Sequence, residues 1–251
     1  LLILLSTFFF GLSGLIFSFF LTDKYESTAV FAINKESNST LSSFENQFGG
    51  IANIAGISLP NSGNDKTSYV IEKINSREFL KHLLDIDGIR ESLAASKAFD
   101  TDKQEIIFDD GIFDPVDKVW IRKPPKGRQI IPSYIEIHEK FYLKNLNVDH
   151  NKTTDLVEIK FQHVSPIFAS EFLNLIFKEL NELERQKDLK ESKEALEYLS
   201  KQKSETTQTD LIEMTNKLLE IELKQQMLSS LNENYVMEPV DSPIAPEIKS
   251  S

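Results

Sequence analysis

The chain has 251 residues, a formal charge of −11 at pH 7, a pI near 5.0 and no cysteine. Such an acidic balance argues against a nucleic-acid partner, because that binding depends on a basic face that neutralises phosphates. The absence of cysteine excludes disulfide frameworks and thiolate metal sites, and leaves the redox compartment open.

Leu1 to Leu21 is an unbroken apolar run, LLILLSTFFFGLSGLIFSFFL, without a charged residue. At about 1.5 Å rise per residue it covers the roughly 30 Å hydrocarbon core of a bilayer, so residues 1–22 are expected to form a transmembrane helix. A cleaved secretory signal would show a basic n-region, a shorter apolar stretch and a small-residue cleavage site, none of which is visible here. Lys24 to Ile33 then alternates, with Tyr25, Ser27, Ala29, Phe31 and Ile33 on one side, the period of a strand. Asn34 to Asp65 is rich in Ser, Asn and Gly and holds the small-residue segment FGGIANIAGISLP, Phe48 to Pro60, expected to be a loop or a short packed helix. From Ser68 to Leu84 the apolar residues recur at helical spacing. Ser76 reads as an N-cap, which divides the stretch into two short helices.

Asp100 to Pro132 reads as loop, and a helix is expected from Ser133 to Leu143, opened by a capping box of Ser133 and Glu136. Leu146 to Val148 and Leu156 to His163 read as a hairpin with Val157, Ile159, Phe161 and His163 facing a core. Pro166 opens a long helix in which Ala169, Leu173, Ile176, Leu180 and Leu183 form a stripe. After a polar break at Ser204 to Thr209, Leu211, Met214, Leu218, Ile221, Leu228 and Leu231 keep heptad spacing, with Gln225 at the missing position. The two helices are expected to form a hairpin. Its distal half serves either as core or as a surface between subunits, since Lys187 and Lys190 interrupt the stripe. On this reading, charged residues at Leu211 and Leu218 would weaken the hairpin or the assembly. Pro239, Pro243 and Pro246 then keep the closing segment extended, a strap able to return to the membrane.

Catalytic chemistry is hard to find. His82, His138, His150 and His163 lack ligand-like spacing, and no phosphate-binding loop or nucleophile elbow occurs. Asp85, Asp87 and Gly88 resemble the start of a calcium loop, but Ile89, Arg90 and Glu91 break the ligand pattern. Asp109 and Asp110 are too ordinary in so acidic a chain to mark a glycosidase. No catalytic, cofactor-binding or metal residues are therefore assigned, and no cofactor is expected. One segment stands apart: Trp120, Arg122, Lys123, Lys126 and Arg128 surround Pro124 and Pro125. This basic patch reads either as a contact for lipid headgroups or an anionic glycan, or as an ordinary solvated loop.

The strand KYESTAVFAI after an apolar run, the segment GGIANIAGI, the stretch PSYIEIHEKFYLKNLNVDHNKTTDLVEIKFQHVSPIFASEFLN and the closing NYVMEPVDSPIAPEIKSS together resemble the polysaccharide chain-length determinant (Wzz-type) family, the polysaccharide co-polymerases. Ser165 with Pro166, and the PEIKS ending at Ser250, carry the most specific part of that likeness. The resemblance implies an α+β protein of the bacterial inner membrane with its bulk in the periplasm. Its parts would be a transmembrane helix (1–22), a membrane-proximal α/β base with a small sheet (23–165), a projecting helical hairpin (166–233) and a strand and strap (234–251) leading toward a second transmembrane helix. It further implies a homo-oligomer that sets the length of O-antigen-like polysaccharide with the polymerase and its lipid-linked glycan, without bond-making chemistry. Two rivals follow from the same order of features: the modulator half of a tyrosine autokinase, and a periplasmic adaptor for capsule or exopolysaccharide export.

Overall fold

The computed structural model describes residues 23–34, 65–205, 207–231 and 234–250. The expected transmembrane helix at 1–22 and the small-residue segment Phe48 to Pro60 lie outside these residues. Among the described residues, no helix is long and apolar enough to cross a membrane.

The architecture is α+β. The chain forms β1 (Tyr25–Ile33), α1 (Asp65–Ile74), α2 (Arg77–Leu83), α3 (Ile89–Ala95), β2 (Ser96–Asp100), β3 (Glu105–Phe108), β4 (Phe113–Asp114), β5 (Val119–Trp120) and α4 (Tyr134–Ile137). A π turn (His138–Tyr142) continues α4 into α5 (Leu143–Asn145). Then come β6 (Leu146–Asn151), β7 (Leu156–His163), α6 (Pro166–Glu205), α7 (Thr209–Leu231) and β8 (Met237–Asp241). Four antiparallel strands make the main sheet in the order β6-β7-β1-β8, so the first and last of the described strands lie side by side. Tyr25 pairs with His163 and Ala32 with Leu156, while Ile33 pairs with Met237 on the other flank. The ladder to β8 slips between Val30 and Phe31, where Phe31 faces Pro239. Proline has no N–H to give a ladder, which confines it to an edge strand such as β8.

Alternation in β1 and β7 puts Ala29, Phe31, Val157, Ile159 and Phe161 on one buried face, as their period of two dictates. Helix α6 covers that face. The Ser165 hydroxyl accepts from the Phe168 N–H at 3.1 Å and Pro166 occupies the first turn, where its missing donor costs nothing. Ala169, Leu173, Ile176 and Leu180 are buried as the stripe requires, Phe172 packs on Phe161 at 4.6 Å between ring centroids, and Phe177 stacks on Phe31 at 5.2 Å. The Ser76 cap of α2 is present, its hydroxyl accepting from the Phe79 N–H. Ser133 likewise caps α4. Glu136, however, does not complete a capping box, because its carboxylate turns inward to Arg122 and Lys140.

Asn181 lies opposite β8, whose Met237 pairs with the last residue of β1, so α6 has already traversed the whole sheet at that point. The 24 residues from Glu182 to Glu205 run on past it, about 36 Å of helix. Burial falls away along them: beyond Glu184 only Ser192 is buried on α6, and its hydroxyl bonds Glu222 on α7 at 2.9 Å. Among its described side chains, the heptad stripe of α7 is therefore not fully buried within one chain. Leu211 is 43% exposed, and Leu218 and Ile221 are half-buried. The placement of the Met214, Gln225, Leu228 and Leu231 side chains lies outside the described set. A charge at Leu211 would remain in water in the single chain, which removes the desolvation cost expected from the sequence.

Asp100 to Pro132, expected to be loop, instead takes part in two small hairpins, β2-β3, which begins at Ser96, and β4-β5. Their turns share one device with the β6-β7 turn. An Asx oxygen accepts two backbone N–H groups: Asp100 from Asp102 and Lys103, Asp114 from Val116 and Asp117, Asn151 from Thr153 and Thr154. The residue four places after each Asx, Gln104, Lys118 or Asp155, then takes a positive φ of 53° to 59°. Glycine usually marks such positions, and here the Asx bonds hold ordinary residues in the left-handed region instead.

Candidate functional site

The most informative geometry is where the ends of the domain meet. After β8 the strap runs back along β1. The Ser27 hydroxyl, itself buried, donates to the Ile244 carbonyl at 2.9 Å. The Ser250 N–H and hydroxyl both reach the Lys24 carbonyl, at 2.8 and 3.0 Å, and Lys249 pairs with Asp23 at 2.6 Å. Lys24 in turn donates to Asn145 at the end of α5, at 3.1 Å. Residues 23–24 and 249–250 thus share one end of the sheet, and α6 leaves the other.

The basic segment is not the free cation cluster that its sequence suggests. Arg122 grips Glu136, which is 1% exposed, through two bonds of 2.9 and 2.8 Å, and its remaining donors hold the carbonyls of Ile130 and Gln129 at 2.7 Å. That pairing, with Lys140 at 3.0 Å, pulls the Glu136 carboxyl down to about 2. Arg128 pairs with Glu139 at 3.3 Å, and Trp120 packs on Phe113 at 5.2 Å. Only Lys123 and Lys126 of the expected cluster are exposed and in none of the ion pairs among the described residues. Sequence reasoning missed the Arg122–Glu136 bond because its members lie 14 residues apart, across a Pro-rich loop. A buried acidic position inside the apolar phase of α4 was the available signal.

The histidines all find partners within the protein. His82 meets Glu179 at 2.7 Å, His138 the Asn75 carbonyl at 2.7 Å, and His150 Asp155 at 2.9 Å. His163 is buried as neutral imidazole: Nε2 donates to the Ser92 carbonyl at 2.9 Å and Nδ1 accepts from the Ser165 N–H at 3.1 Å. Burial lowers its pKa from 6.5 to about 4. A histidine held neutral contributes stability that is complete above pH 6.5 and is lost as pH falls toward 4, by about 3 kcal/mol for one group. Urea midpoints taken across that window should fall with pH, and the fall should be visibly shallower in a His163→Leu variant. Equal slopes in the two proteins would contradict the assignment. No group of three or more His, Asp or Glu among the described residues is placed to hold a metal ion. Gly88 of the calcium-like stretch opens α3 with a φ of 83°, and Asp109 accepts from the Gly111 N–H at 2.9 Å.

A groove of about 830 Å³ runs between α6, the start of α3 and the β2-β3 hairpin. Ile106, Ile107, Phe168 and Leu175 contribute to its apolar lining, and Asp87, Glu105, Asp110 and Glu171, all exposed, give it an acidic border.

Residues 1–85 match the model of the chain length determinant protein family, Wzz. The chain thus carries over those residues the family pattern that its sequence resembles. Among solved structures, a "Fragment of WzzB, Polysaccharide Co-polymerase from Salmonella Typhimurium" is 12% identical, covers 91% of this chain and 100% of its own, and superposes with a TM-score of 0.36. At that score the likeness bears no weight. A search of curated proteins gave no match.

Proposed function

We propose that this chain is a membrane-anchored, oligomeric and non-enzymatic regulator of surface polysaccharide length, of the O-antigen type. It would act beside the polymerase and its lipid-linked glycan at the bacterial inner membrane, with its bulk in the periplasm. One observation carries the reading: the start and the end of the described domain meet at Lys24 and Ser250, directly after the apolar run, while the long helix leaves the opposite end of the sheet. Residues 1–22 would then be the anchor, 23–165 the base resting near the membrane, 166–233 the arm reaching away from it, and 234–251 the strap that returns to it. The family match over residues 1–85 supports the same assignment. Several copies would pack into a scaffold that biases how long the polymerase retains a growing glycan.

The size profile of surface polysaccharide on a gel tests this. Deleting the gene should turn a clustered length distribution into an unregulated one, and the full-length gene should restore the clustering. Total loss of polymer would favour a kinase-linked or export role instead, and an unchanged profile would remove the proposal.

A further inference from the structure

The segment from Val116 to Ile131 presents five aliphatic side chains to water: Val116, Val119, Ile121, Ile130 and Ile131 are each at least half exposed. Lys118, Lys123 and Lys126 stand among them, exposed and in none of the ion pairs among the described residues. So many exposed aliphatic residues in one short segment, with unpaired lysines between them, point to an interaction surface. It is also rigidly presented. Arg122 closes the loop by binding the Gln129 and Ile130 carbonyls and ties it to Glu136 on α4, while Arg90 holds the Pro132 carbonyl at 2.7 Å. The exposed residues are therefore fixed before any partner arrives, which lowers the entropy cost of docking.

The groove beside α6 is its complement in both respects, apolar within and bordered by Asp87, Glu105, Asp110 and Glu171. None of these four carboxylates joins an ion pair among the described residues. We propose that the Val116 to Ile131 loop of one copy seats in the acidic groove of a neighbouring copy, the lysines meeting the carboxylates around the rim and the aliphatic residues covering the groove. Complementary charge would steer the encounter and fix its register, with desolvated apolar contact supplying most of the affinity. The inference rests on the oligomeric scaffold reading and gives that scaffold a specific joint. Anionic lipids and phosphates are disfavoured occupants of the groove, because its border repels them.

Residues 1–251 contain no cysteine, so a thiol placed among them is unique within the domain. Two differently tagged full-length chains, one Lys123→Cys and one Asp110→Cys, would be coexpressed in membranes and treated with a short bismaleimide. The mixed crosslink should be several-fold stronger than either crosslink between like chains. A second arm reverses the charges: Lys123→Glu with Lys126→Glu should shift the detergent-extracted assembly toward lower mass, and adding Asp110→Lys with Glu171→Lys in the same chain should restore it. An assembly of unchanged mass that gives no preferential mixed crosslink overturns this joint and leaves the scaffold reading standing. A full-length chain that is monomeric before any substitution overturns both.

Discussion

Replacing Arg122 with methionine is expected to lower the folding stability by about 4 kcal/mol, because it leaves a buried carboxylate without its main partner. Glu136 is almost wholly enclosed, and Lys140, the partner that would remain, is 45% exposed and reaches only one of its oxygens. The same change frees the Gln129 and Ile130 carbonyls, so the loop loses its closure together with its anchor. Pairing Arg122→Met with Glu136→Leu should recover most of the loss, since an apolar pair of similar size demands no compensation for buried charge. Urea unfolding of the four proteins in the cycle gives the coupling directly. If both single variants unfold at the wild-type midpoint, the pair is not the buried contact described here.

The pH dependence provides an independent check with a defined sign. The Arg122 bond, helped by Lys140, holds the Glu136 carboxyl near 2 in the folded chain against 4.5 when unfolded. A depressed carboxylate contributes stability that is complete above pH 4.5 and disappears as pH falls toward 2, roughly 3 kcal/mol over that interval. The window lies below most of the one assigned to His163, so the two groups separate in a titration of stability. In Arg122→Met the acid loss should be shallower, because the carboxyl has moved back up.

What the sequence makes legible, and what it hides, follows from the range of the interactions. The strands β1 and β7, the stripe on α6 and the caps at Ser76 and Ser133 depend on neighbours a few residues away, and all are present where the pattern places them. The hairpins in residues 96–132 were hidden because their turns use Asx bonds in place of glycine, so that Gln104 and Lys118 carry the left-handed conformation without the residue type that usually announces it. The internal pairing of the basic segment is hidden for a different reason. Composition counts charges but does not reveal that Arg122 has a buried partner 14 residues away. The groove and its acidic border are assembled from four separate stretches of chain, and no local pattern foreshadows them.

Replacing Asn181 with leucine is the other change expected to cost about 4 kcal/mol, and it tests how the arm is joined to the sheet. Its Oδ1 accepts from the Val236 N–H at 2.6 Å and the Met237 N–H at 2.9 Å, and its Nδ2 donates to the Met237 carbonyl at 3.1 Å. All three backbone groups belong to the point where the chain leaves the helices and enters β8, and Asn181, Val236 and Met237 are buried there. Leucine has the same branched heavy-atom skeleton, with bulkier methyl groups, and offers none of these bonds, so buried donors and an acceptor are left without partners, at about 1–3 kcal/mol each. Asp at this position should be intermediate. Its oxygens can still accept from Val236 and Met237, but the donor to the Met237 carbonyl is gone and a charge is buried. Because β8 carries the chain into the strap that ends beside Lys24, loosening Asn181 should also speed hydrogen exchange at Met237 and at the Ser250 amide, two sites on opposite ends of the sheet. Faster exchange at Met237 alone would mean that β8 and the strap open independently. Faster exchange at both would mean that the joint between arm and sheet also governs the return of the chain to the end where it began.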